Sequence, residues 1–169
     1  QRVQRVVILD LELTRDMSRD WFERLGLEHP ERVDVVPMRG LARTLDLREP
    51  QRRAQWVRRL TGADVVILDC LNPILDALGI PVTKVSTFLN LLDEVLIEAG
   101  VPHALVVHHH NDDEQIGGGN KVRGWSDALW NTLMLDQNNP ASPRFFVTQV
   151  RSRGASVGEG RLDFDPESG

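Results

Sequence analysis

Asp64-Val65-Val66-Ile67-Leu68-Asp69 is the stretch that decides the fold. An uninterrupted branched apolar run reads as a strand buried on both faces, the texture of a central strand in a parallel sheet, and here it closes on an acid. Two other stretches share the texture. Val6-Val7-Ile8-Leu9-Asp10-Leu11-Glu12 lies upstream, and Ala104-Leu105-Val106-Val107 lies downstream and runs into His108-His109-His110. Ligands of open parallel sheets sit in the crevice beyond the carboxyl ends of the strands. Glu12, Asp69 and His109 are therefore expected on one common edge, which is the candidate active site.

Outward from these runs, helix-like and strand-like segments alternate. Thr14 or Asp16 can cap a helix through Met17, Trp21, Phe22 and Leu25, and Gly26 is placed to stop it. A short strand is expected at Val33–Pro37, then a charged, irregular stretch over 39–49. Pro50 opens a helix through Trp56, Val57 and Leu60 that Gly62 ends. Asn72-Pro73 is expected to break the chain. Beyond Pro81, the apolar positions Val85, Phe88, Leu89, Leu92, Val95, Leu96 and Ala99 recur at three- and four-residue steps, the spacing of an amphipathic helix, with Gly100 as its stop. Residues 111–124 read as a polar loop containing Gly117-Gly118-Gly119. After it the texture changes to short strands at 128–135, 144–150 and 161–164, expected as an antiparallel extension on the edge of the parallel sheet. The fold class is thus α/β, a mostly parallel sheet flanked by helices with an antiparallel C-terminal strand extension. Residues 1–164 form one core and 165–169 a loose tail.

Composition sets the outer bounds. A chain of 169 residues, 41% hydrophobic and 27% charged, is globular and long enough for one core. A net charge of −5 and a pI near 5.5 argue against coating nucleic acid by bulk charge. The single Cys70 gives no disulfide framework and fits a reducing cytoplasm, the expected location. No stretch reaches the ~18–20 apolar residues that span a bilayer, so no membrane partner is expected. Gln1 opens almost directly into a buried run, and an upstream portion is expected ahead of it.

The series "VVILDLELT", "VVILDCLNP", "LVVHHH" and "KVRGWSDALWN" resembles the RecA-like ATPase core of plasmid and phage replicative helicases and related DNA-repair ATPases, particularly the RepA-like group, over 6–164. What the resemblance implies is specific. Glu12 matches the general base for the water that attacks the γ-phosphate. Asp69 matches the Walker B aspartate that holds magnesium. His109 matches the γ-phosphate sensor, with His108 beside it at the nucleotide. Lys121 and Arg123 match a Lys-x-Arg pair on a later strand that reaches a neighbouring subunit's nucleotide. ATP and magnesium are the implied cofactors, and DNA and further copies of the chain, in a ring or filament, the implied partners. These residue types suit phosphoryl transfer, which depends on positioning and charge neutralisation; an arginine supplied in trans contributes about 10³–10⁵ in rate. One departure stands out: no Gly-x-x-x-x-Gly-Lys-Ser/Thr occurs in the 169 residues.

Each residue also has a plainer reading. Glu12 can be a solvated strand-end acid, Asp69 a cap on the turn at Asn72-Pro73, His109 a hydrogen-bonded strand terminus, and Lys121 and Arg123 solvated loop charges. His108, His109, His110, Asp112, Asp113 and Glu114 invite a transition-metal reading, but contiguous ligands in one loop seldom close a coordination sphere. Arg48, Arg52, Arg53, Arg58 and Arg59 read as a solvated helix surface, with Arg144, Arg151 and Arg153 the better candidates for contact with nucleic acid or a neighbouring subunit. Two function classes emerge: a RecA-like ATPase of replication or repair, or a RecA-like module without catalysis that serves as an assembly partner. A P-loop upstream favours the first; a chain complete at 169 residues favours the second.

Overall fold

The computed structural model describes residues 3–109, 120–134, 136, 144–148 and 160–162. Four strands, β1 (Val6–Asp10), β2 (Val33–Pro37), β3 (Val65–Asp69) and β4 (His103–Val106), form an all-parallel sheet in the order β2-β1-β3-β4. β1 and β3 align without offset, Val6 opposite Val65 and Asp10 opposite Asp69. The expected parallel sheet flanked by helices is therefore present.

The helices form where their sequence signals stand. α1 (Arg15–Arg24) starts at Thr14, whose hydroxyl accepts from the Met17 N–H at 3.3 Å. α2 (Pro50–Leu60) carries Pro50 in its first turn, where a missing N–H costs nothing. α3 (Asn72–Ala77) corrects the expectation of a break at Asn72-Pro73. Pro73 falls in a first helical turn, so it opens a helix instead of ending one. α4 (Val85–Ala99) buries all seven positions of its apolar stripe and ends at Gly100, whose φ of +71° suits a residue without a Cβ.

The reading of strands buried on both faces needs correction. Leu60 of α2, Ile74 and Leu75 of α3 and the stripe of α4 join one core against Val7, Leu9, Val66 and Leu68, and these strand residues are sealed. The alternate positions Val6, Ile8, Val65 and Ile67 are only half-buried, because α2, α3 and α4 all feed the same side of the sheet. On that second side the register sets Val35, Ile8, Ile67 and Leu105 in a row across all four strands, and Leu105 is 44% exposed.

The antiparallel strands are also differently arranged from the expectation. β5 (Trp130–Met134), β6 (Arg144–Thr148) and β7 (Gly160–Leu162) pair antiparallel with their sequence neighbours in a three-stranded sheet of their own, not as an extension of the parallel sheet. Sequential antiparallel neighbours need only a short connection to pair, and this local ladder pairs β6 on both sides. Residues 120–124, expected within the polar loop, fall in α5 (Asn120–Trp125). Val122 and Trp125, three residues apart, share the face turned to α4: Val122 is buried in the core, and the Trp125 indole donates to Asp93 at 2.8 Å. Gly117-Gly118-Gly119 and 165–169 lie outside the described residues. No helix among the described residues is long and apolar enough to cross a membrane.

Candidate functional site

The site is built from the ends of β1, β3 and β4, and its backbone is tied together past the strand ends. Leu11 N–H donates to the Asp69 carbonyl at 2.6 Å, Val107 N–H to the Leu68 carbonyl at 2.9 Å, and Leu71 N–H to the Val107 carbonyl at 3.0 Å. The three tips are thus one rigid rim.

Asp10, the last residue of β1, organises the turn that leaves the strand. It is buried, and its Oδ1 accepts the Glu12 and Leu13 N–H groups at 3.0 and 2.9 Å while Oδ2 accepts the buried Ser18 hydroxyl at 2.6 Å. This fastens the β1–α1 connection and the start of α1 to the strand end and sets where Glu12 leaves the backbone. Glu12 Oε1 then lies 3.1 Å from His109 Nε2 and accepts the Cys70 thiol at 3.3 Å. The Glu12 and His109 side chains keep 45% and 56% of their surface open, so solvent and solutes reach them, whereas Cys70 is buried at the base.

Three carboxylates around one imidazole give the rim a negative field. Burial, reinforced by the charges of Glu12 and Asp10, raises the Asp69 carboxyl above the usual carboxylate range, and His109 offsets part of this. The Cys70 thiol is pushed up to about 12, first by burial, then by its hydrogen bond to Glu12 and the charges of Glu12 and Asp69. A rim of this kind attracts a cation: hard carboxylate oxygens at Asp69 and Glu12 suit magnesium, and imidazole and thiol beside them offer softer donors.

Of the residues singled out from sequence, Glu12, Asp69 and His109 come together on this rim, and His108, half-buried, precedes His109. Lys121 and Arg123 stand elsewhere in the fold's order, on α5 and not on a strand. The Lys121 ammonium donates to the Thr83 carbonyl, just ahead of α4, at 2.7 Å. The arginines around α2 are largely matched with acids: Arg48 with Asp46, Arg52 with Glu49, Arg53 with Glu94 and Arg59 with Asp34. Hydrogen bonding from Arg48 holds the Asp46 carboxyl below its usual range. His110, Asp112, Asp113, Glu114, Arg151 and Arg153 fall outside the described residues.

Two members of the site were not picked out from sequence. Asp10 carried a usable signal, since an aspartate closing a strand commonly accepts backbone N–H groups two and three residues on. Cys70 carried none, because its partners Glu12 and His109 are distant in the chain and meet it only through strand pairing. A scan against protein-family models finds no match to this chain, and a search of the curated proteins returns none either.

Proposed function

We propose that this chain is a RecA-like ATPase core, an ATP-dependent DNA helicase or replication and repair ATPase that hydrolyses ATP with magnesium at subunit interfaces. One observation carries the reading: Glu12, Asp69 and His109, contributed by three adjacent parallel strands, meet on the carboxyl edge of the sheet. In this reading Asp69 would hold magnesium, which when bound neutralises charge on the phosphates. Glu12 orients the attacking water and takes up its proton, and the exposed carboxylate is free to do so from the solvent side. His109, against Glu12, registers whether a γ-phosphate is present, because a phosphate oxygen competes with the carboxylate for its Nε2 proton. Lys121 and Arg123 serve a neighbouring copy's nucleotide from α5.

The test is magnesium-dependent ATP hydrolysis by the whole protein encoded by the gene. Asp69→Asn and Glu12→Gln are each expected to lower turnover by about 10²-fold or more, the contribution of a positioned acid or base. Turnover retained in both variants removes the reading. A second reading is a RecA-like module that binds partners without hydrolysis. It is favoured if calorimetry of the whole protein detects no ATP binding with magnesium.

A further inference from the structure

Glu12, Cys70 and His109 form a mixed donor set that magnesium chemistry does not explain. Each supplies one ligand atom, and the three atoms all lie within 4.8 Å of one another. Two of the spacings are 3.1 and 3.3 Å. A tetrahedral zinc with bonds of about 2.0–2.1 Å to nitrogen or oxygen and about 2.3 Å to sulfur sets its donors roughly 3.3–3.8 Å apart, so small side-chain rotations would suffice. The backbone beneath them does not need to move, since hydrogen bonds from Leu11 to Asp69 and from Leu71 to Val107 already fix the three tips.

We propose that Glu12, Cys70 and His109 bind a thiophilic divalent cation of the zinc class, with a fourth ligand from solvent. Imidazole, thiolate and carboxylate together select such an ion over magnesium, which takes oxygen donors alone. The neighbouring carboxylates of Asp10 and Asp69 add attraction for a double charge without occupying the donor positions. On binding, the metal–sulfur bond replaces the thiol S–H and that proton leaves to solvent; the proton His109 holds on Nε2 toward Glu12 passes through solvent to Nδ1, which frees the Nε2 lone pair, so both hydrogen bonds to Glu12 are exchanged for metal contacts at the same atoms. Binding is independent of any nucleotide. Where the ATPase reading holds, occupancy would withdraw Glu12 from the attacking water, so zinc would inhibit turnover; that consequence alone rests on the ATPase assignment.

The experiment is a cobalt(II) titration of the reduced protein without nucleotide, followed by absorbance. One equivalent is expected to give a thiolate-to-cobalt charge-transfer band and the intense visible bands of a four-coordinate ion. One equivalent of zinc should erase them, and excess magnesium should not. Cys70→Ser should lose the charge-transfer band. His109→Ala, at an exposed position and with its fold checked by circular dichroism, should weaken cobalt binding by more than the about 10–100-fold that losing a mere supporting partner of a ligand costs. No charge-transfer band in the parent protein, or a band with unchanged affinity in His109→Ala, overturns the proposal. Failure of the ATPase reading would show separately, as absent magnesium-ATP turnover in protein with Cys70 intact.

Discussion

Replacing Asp10 with alanine takes one carboxylate from three donors at once: the Glu12 and Leu13 N–H groups and the Ser18 hydroxyl. Hydrogen bonds to a charged group contribute about 1.5–3 kcal/mol each, but the three donors do not suffer equally. The two backbone groups are only partly buried and recover water, so each costs about 1 kcal/mol. Ser18 is 1% exposed and recovers nothing, so its stranded hydroxyl costs about 1–3 kcal/mol. Against this stands relief of repulsion with exposed Glu12, where screening keeps the gain small, and with half-buried Asp69, together about 1 kcal/mol. The losses win, and a net destabilisation of about 2–4 kcal/mol is expected in urea unfolding. Asp10→Asn keeps the oxygen that serves both N–H groups and presents an amide to the hydroxyl, so it should cost only about 1 kcal/mol. A double-mutant cycle with Ser18→Ala should return a coupling of about 1 kcal/mol or more. An Asp10→Ala protein as stable as its parent, or more stable, would mean that repulsion governs the rim and would refute the role given to Asp10.

Phe88, among the largest fully buried side chains, sits in the first turn of the α4 stripe, and Phe88→Ala should destabilise by about 3–5 kcal/mol in the same assay; a loss below about 1 kcal/mol would mean that the core is not packed around it. Asp69 supplies a pH test. Its carboxyl is raised in the folded chain, so that chain holds a proton to higher pH than the unfolded one does. Its contribution to stability therefore falls as pH climbs from the ordinary carboxylate range through the raised value, and the penalty is complete above it. Asp69→Asn should raise the unfolding midpoint at pH 7, with the difference from the parent shrinking as pH is lowered through that window; a lowered midpoint at pH 7 would contradict burial and repulsion as the dominant forces there.

How much was legible in the sequence depends on the range of the interactions involved. The α4 stripe was readable to the residue because helical periodicity is local, and its stop was readable because Gly100 needs positive φ. The rim residues Glu12, Asp69 and His109 were readable because strand ends are marked by the end of an apolar run. The second face of the sheet was not, since a continuous apolar run is the same string whether one side or both are covered, and only the placement of α2, α3 and α4 decides. α5 was obscured by polar neighbours around a single Val122–Trp125 pair. Cys70 depended on a meeting of residues 58 positions apart, which local spacing does not encode.

The offset-free pairing of β1 with β3 has a consequence for how this sequence can change over time. Side chains alternate with period two, so deleting or adding one residue inside either strand would turn Val7 and Leu9, or Val66 and Leu68, outward and carry the terminal acids out of line. Length variation is accordingly expected to be accommodated in exposed connections such as 26–28 and selected against within Val6–Asp10 and Val65–Asp69. The two strands are phase-locked, and the chemistry at their tips inherits that lock.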